Sequence, residues 1–323
     1  FKKSIKLDLA LIQPRMLLGE IYYNRADYDK CLEMYENNLE ISLEYNDSKN
    51  ISSSLSSIAS VYFQKGEYDK CLEFNLQALK IRQKINNKKG IASSYNSIGA
   101  IHQVLKEFDK ALENYEKSLL IAREIHDERS MTMGTLNIAN LHNSMGDLKK
   151  ALEMQKKCLI LCKKNKKQPW LAYAYNLAGV IFSNMHKYDE SIFNLKKCLK
   201  IRRDLNEPLG VAGVFKSIAI IYYYKGQYKQ AMTYHNKSLK ERQKIGEKAG
   251  IGESLSMIGD TYKKMGDYDK AINAYEKSYE IMKYIKDYEH ASKILNALGN
   301  VYRKKGEYAI AIRTLKKANK IKS

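Results

Sequence analysis

The stretch Gln64-Lys65-Gly66-Glu67-Tyr68-Asp69-Lys70 decides the fold, because its glycine returns at a fixed interval. Gly146, Gly226, Gly266 and Gly306 stand at whole multiples of 40 from Gly66, and Ala26, Lys106 and His186 fill the missing steps. Two residues after this point comes a large side chain, Tyr28, Tyr68, Phe108, Leu148, Tyr188, Tyr228, Tyr268 or Tyr308, and five after it a small one, from Cys31 to Ala311. Seven residues before it stands Gly19, Ala59, Gly99, Ala139, Gly179, Ala219, Gly259 or Gly299, and four before it an aromatic or His. Self-similarity at a fixed period marks a stack of supersecondary units rather than one globular core.

Within a unit the apolar spacing is helical. Leu55, Ile58, Ala59 and Tyr62 fall at i, i+3, i+4 and i+7, and Tyr68, Cys71, Leu72 and Leu79 make a second stripe beyond the glycine. Each unit therefore reads as a helical hairpin, helix A then helix B, with the glycine supplying a left-handed residue where helix A ends. Glu67, Asp147, Asp267 and Glu307 then favour the N-terminus of helix B. Ala26, Lys106 and His186 are expected to hold the same left-handed conformation at a cost of about 1 kcal/mol each, so glycine at any of them should stabilise the chain.

Composition agrees. Three prolines and 17 glycines in 323 residues suit long helices. Five cysteines, an odd number with no C-x-x-C pair, imply reduced thiols and a cytoplasmic location. No apolar run reaches the roughly 18 residues that cross a bilayer.

Helix A with Gly99 and His102, followed by Glu107-Phe108-Asp109-Lys110-Ala111-Leu112, resembles the tetratricopeptide repeat signature, and the resemblance covers essentially the whole chain. A period of 40 is similar to the lengthened variety found in kinesin light chains, spindle-orientation adaptors and the sensory regions of bacterial signalling proteins. Lys89-Gly90-Ile91-Ala92, Gly210-Val211-Ala212 and Gly250-Ile251-Gly252 look most like the bacterial set. The resemblance implies an all-α, right-handed superhelical solenoid of eight antiparallel helix hairpins. It would be a single domain over 1–323, with repeats at about 12–50, 51–90, 91–130, 131–170, 171–210, 211–250, 251–290 and 291–323. Residues 1–11 would be the remnant of a preceding helix, and the parent protein is expected to continue in both directions.

No phosphate-binding loop, dinucleotide fingerprint or H-E-x-x-H motif occurs, so no enzymatic activity and no cofactor are expected. His102 and His142 occupy a slot otherwise filled by Tyr and Phe, and Cys158 and Cys198 one otherwise filled by small residues. Both pairs read as packing, with no metal site.

By the family's geometry the A helices line the inner, concave surface. Asn96, Asn137, Asn140, Asn176, Asn296 and Asn300 project there, joined by Lys216, Lys263, Lys264, Arg303 and Lys304 towards the C-terminus, and by Tyr23, Phe63, Tyr223 and Tyr224 at the rim. An amide offers donor and acceptor together, as reading a peptide backbone requires. The expected partner is a protein or peptide, acidic where it meets the basic C-terminal third. The Lys-Asn, Asn, Lys-Arg series with which some family members clamp a C-terminal carboxylate is absent. A second reading is the sensory input region of a larger bacterial signal-transduction protein such as a histidine kinase. A regulatory phosphatase finds no matching catalytic residue. Net charge is +20, which attracts polyanions in general. Its lysines spread over the B helices, at Lys117, Lys156-Lys157, Lys196-Lys197 and Lys237, as a solvated outer face, and no two-residue code per repeat is visible. Nucleic acid is accordingly disfavoured.

Overall fold

The computed structural model describes residues 12–164 and 168–322, which contain sixteen α-helices and no strand. The helix remnant expected over residues 1–11 lies outside the described residues. The chain divides into two compact units, meeting between residues 165 and 166. The first holds α1 (Ile12–Asn24), α2 (Tyr28–Glu44), α3 (Ser48–Lys65), α4 (Tyr68–Lys84), α5 (Lys88–Val104), α6 (Phe108–Glu124), α7 (Glu128–Ser144) and α8 (Leu148–Lys164). The second holds α9 (Gln168–Asn184), α10 (Tyr188–Asp204), α11 (Pro208–Tyr224), α12 (Tyr228–Lys244), α13 (Lys248–Met265), α14 (Tyr268–Tyr284), α15 (Tyr288–Lys305) and α16 (Tyr308–Lys322). Odd-numbered helices are the A helices of the sequence repeat and even-numbered ones the B helices.

The A-to-B turns are as the sequence implies. Gly66, Gly146, Gly226, Gly266 and Gly306 have φ between 72° and 86°, and Ala26, Lys106 and His186 share the left-handed region at 57°, 60° and 58°. At Gly66 the turn closes with its N–H on Phe63 O (3.1 Å) and the Glu67 N–H on Tyr62 O (3.0 Å), which satisfies carbonyls the helix end leaves free. The B-to-A turns repeat this geometry. Asn46, Asn86, His126, Asn206, Gly246 and Lys286 all have positive φ, from 52° to 69°. Among the described residues a left-handed residue thus recurs every 20 residues, and the backbone unit is half the sequence repeat. The N-cap then falls to a side chain. Asp47, Asn87, Glu247 and Asp287 accept from the N–H three residues on, at 2.8–3.1 Å.

Hairpins close through a pair of positions sixteen residues apart. A Cβ added to Gly99 would lie 2.7 Å from the Tyr115 ring, to Gly259 2.9 Å from Tyr275, to Gly179 2.6 Å from Leu195 and to Gly299 2.7 Å from Leu315; Gly19 faces Tyr35 in the same way. Glycine is required there because the partner ring or isobutyl group occupies the space of a methyl. Where helix A carries Ala59, Ala139 or Ala219, the residue sixteen on is Asn75, Gln155 or His235, each buried.

The other candidates for chemistry settle into packing. His102 Nδ1 lies 2.6 Å from Glu107 Oε2 in its own repeat, and His142 is buried. All five cysteines are free and buried. Cys158 Sγ and Cys162 Sγ lie within hydrogen-bond distance, 3.9 Å apart on one helix, and that bond and burial push the Cys158 thiol up. Among the described residues no group of three or more His, Cys, Asp or Glu is placed to hold a metal ion, and no helix is long and apolar enough to cross a membrane.

Candidate functional site

Neighbouring A helices touch directly, α5 with α7 in the first unit and α13 with α15 in the second. Their outward positions therefore form a face. On α3, α5 and α7 of the first unit this face is uncharged: residues 50–64, 90–104 and 130–144 include no Asp, Glu, Lys or Arg, whereas on α1 the exposed Glu20 stands at the repeat position of Asn140. Asn96 and Asn137, both half-buried, are joined across α5 and α7, Asn137 Nδ2 donating to Asn96 Oδ1 at 2.8 Å. Asn140 is exposed beside them, and its carbonyl accepts from Ser144 Oγ at 3.0 Å. Gln103 accepts from the Tyr115 hydroxyl at 2.9 Å, which fixes its carbonyl end. Tyr23 and Phe63 stand at the rim, each edge-on to the tyrosine after its own turn, Tyr28 and Tyr68, with centroids 6.2 and 5.6 Å apart. These rings are thus held by their own hairpins and present one side outward. Between α1, α3 and α5 this face opens into a cavity of about 200 Å³ whose wall includes Tyr23, Phe63, Asn75 and Asn96.

The second unit differs. Asn176 is half-buried on α9, a helix with no charged residue. On α11 and α13 the bases meet acids: Lys216 Nζ lies 3.1 Å from Glu253 Oε2, and Lys263 Nζ 2.5 Å from Asp260 Oδ1. Asp260 also accepts from the Tyr275 hydroxyl at 2.7 Å. Tyr223 is half-buried against Tyr228 and Tyr224; burial, and then the Asp260 charge, raise its phenol above the ordinary range. On α15, Asn296, Asn300 and Arg303 are exposed, and the Asn300 amide donates to Asn296 O at 3.0 Å. Among the described residues no carboxylate lies within ion-pair distance of Lys264, Arg303 or Lys304.

The expected residues thus gather into two sets: Asn96, Asn137 and Asn140 in the first unit, and Tyr223, Lys263, Asn296, Asn300 and Arg303 in the second, with Asn176 apart on α9. Sequence reasoning missed Glu253 and Asp260, which neutralise part of the basic set, and Asn75. The signal for Asn75 was available, since its counterparts Tyr35, Tyr115 and Tyr275 are large where it is small.

Family models described as tetratricopeptide repeat match residues 12–85, 130–204 and 211–283, with related models over 91–130 and 285–323. The chain belongs to the tetratricopeptide repeat family. No curated protein is found similar in sequence. Among solved structures, a signal-transduction ATPase with numerous domains and a tetratricopeptide repeat sensor from Pyrococcus horikoshii superposes with a TM-score of 0.69 and 18% identity, over 95% of this chain and 47% of that one. A Rap protein complexed with Competence and Sporulation Factor matches at 0.62 and 14%, over 100% and 98%. The Rap conjugation regulator of plasmid pLS20, in complex with the Phr* peptide, matches at 0.63 and 13%, over 99% and 95%. Identities this low establish a shared tetratricopeptide-type helical-repeat fold.

Proposed function

We propose that this chain is a non-enzymatic scaffold that binds an extended protein or peptide segment along its A-helix faces. The observation that carries the reading is the uncharged, amide-lined face of α3, α5 and α7 in a chain of net charge +20. A surface that only had to stay hydrated would share the lysines carried by the B helices. Uncharged amides and hydroxyls offer instead the paired donors and acceptors that a peptide backbone needs. On α13 and α15, Lys264, Arg303 and Lys304 favour an acidic residue at one end of the segment. The absence of Lys and Arg between residues 50 and 64, 90 and 104, and 130 and 144 argues against nucleic acid on the first unit's face. A Rap regulator of similar fold in complex with a peptide supports the reading by analogy. A second reading, the sensory input region of a larger cytoplasmic signalling protein, draws on the Pyrococcus protein, whose repeats are a sensor.

The test is selection of peptides displayed on phage by the immobilised chain, followed by titration of the selected peptide. The triple variant Asn137→Ala, Asn140→Ala and Arg303→Ala should weaken binding at least tenfold, while a fluorescein-labelled 20-nucleotide oligothymidylate at 150 mM salt should not bind. Unchanged peptide affinity in the variant, or tight oligonucleotide binding, would sink the proposal.

A further inference from the structure

The cavity of the first unit lies where neighbouring hairpins place a tyrosine ring. In the next hairpin Tyr115 is buried against the turn of helix carrying Gly99, and its hydroxyl reaches Gln103 on the A-helix face. Tyr275 does the same against Gly259 and reaches Asp260. In the hairpin of α3 and α4 both members of the pair change together: Ala59 takes the glycine position, and Asn75 the tyrosine position. Asn75 withdraws along its own helix, its Nδ2 donating to Cys71 O at 2.9 Å. The ring-sized space it leaves is not refilled. It remains a cavity of about 200 Å³, open on the A-helix face between Phe63 and Asn96 and floored by Asn75, Cys71 and Ile101.

We infer that this cavity is a receptor for one aromatic side chain, phenylalanine or tyrosine, of the bound segment. The inference rests on the peptide-binding reading and adds to it which residue the segment must carry. Size, lining and charge agree. An aliphatic-lined cavity of about 150 Å³ takes up benzene, so 200 Å³ accommodates a phenyl or phenol ring. The side walls are the rings of Tyr23 and Phe63, each fixed edge-on by a neighbouring tyrosine, and a third ring gains from edge-to-face contact with them. No Asp, Glu, Lys or Arg lines the cavity, and a buried charge there would find no partner. Asn75 is 4% exposed. With its amide nitrogen committed to Cys71, its carbonyl oxygen is the acceptor left for a phenolic hydroxyl entering from the face.

The test uses the full chain and a positional-scanning library of N-acetylated, C-amidated hexapeptides. One library position should prefer Phe or Tyr at least tenfold over Ala, Lys and Glu. The double variant Ala59→Gly, Asn75→Tyr gives this hairpin the pair its neighbours carry, so it fills the cavity by a packing the fold already uses; its melting temperature should match or exceed that of the parent. It should lose the aromatic preference and keep binding through the remaining positions. An aromatic preference that survives in the filled variant, or peptide binding with no aromatic preference in the parent, overturns the inference and leaves the scaffold reading standing. Selection of no peptide at all overturns both.

Discussion

Arg82 in the first unit and Arg202 and Arg242 in the second hold the same place in their hairpins. Each stands four residues before a left-handed residue, Asn86, Asn206 or Gly246, and eight before a glycine, Gly90, Gly210 or Gly250, whose missing Cβ makes room for the side chain. The charges are settled differently. Arg202 Nη1 lies 2.9 Å from Glu207 Oε2, and Arg242 Nη1 lies 3.1 and 3.5 Å from Glu247 and Glu253. Arg82 meets Ser94 Oγ at 2.7 Å and the carbonyls of Ser52 and Gly90 at 3.3 Å, with Asn87 where the other turns have glutamate. Burial accordingly pulls its pKa down. Sterics and charge balance are therefore separable: the glycine admits the guanidinium, and the acid is an addition that one unit makes and the other omits. The same contrast runs through the position filled by Asn75 and Gln155 in the first unit and by His235 in the second, neutral amides against a titratable ring.

The largest expected effect follows from His235. Burial holds its pKa down at about 4, outweighing the opposing pull of Asp260. Its contribution is fully present above the ordinary histidine value of about 6.5 and is lost as pH falls from there to about 4, because the unfolded chain takes up the proton first; the loss comes to about 2–3 kcal/mol. Trp170, the single tryptophan, lies on α9 and reports on the second unit. Urea unfolding followed by its fluorescence should show this acid loss in the parent and not in His235→Gln, which copies Gln155. Equal acid sensitivity in both would assign the loss elsewhere.

A reciprocal exchange at the arginine turns comes next. Glu247→Asn keeps the cap on Gly250 and leaves Arg242 with only Glu253, which also serves Lys216, and should cost about 2 kcal/mol. Asn87→Glu supplies the partner Arg82 lacks and should gain about 0.5–1 kcal/mol, being part-exposed. Equilibrium unfolding at pH 7 measures both, and a stabilising Glu247→Asn would invert the comparison. The smallest effect is at the A-to-B turns. Lys106→Gly in the first unit should stabilise by about 0.5 kcal/mol, read as a rise in melting temperature. His186→Gly in the second should gain less, because His186 Nδ1 sits 3.1 Å from the Tyr188 hydroxyl.

The repeat, the hairpins and the strained Ala26, Lys106 and His186 were legible because large, small and turn residues recur in fixed columns. The half-length period was not, since its turns use Asn, His, Gly and Lys without a common letter, and only φ unites them. For the site, the amides were legible as helical positions, but the bond from Asn137 to Asn96 depends on how two A helices are registered, which spacing within one helix does not supply. Lys216 and Lys263 count as basic in the sequence, but Glu253 reaches Lys216 from a neighbouring helix and Asp260 lies one turn before Lys263, so that the pairing is settled by side-chain placement. Asn75 stands out in its column, where Tyr35, Tyr115 and Tyr275 are large, but the space it leaves is read only together with Ala59, and the two belong to different helices.

The pairing of glycine with a bulky partner and alanine with a slimmer one alternates from Gly19 through Ala59, Gly99, Ala139, Gly179 and Ala219 to Gly259, and ends at Gly299. Where its helices press together, then, the natural module is two hairpins rather than one. A graft or excision of 40 residues would leave the backbone seamless while setting like hairpins side by side, whereas one of 80 would preserve the alternation of glycine and alanine pairs. Lengthening or shortening such an array keeps its helix packing in register only in steps of two.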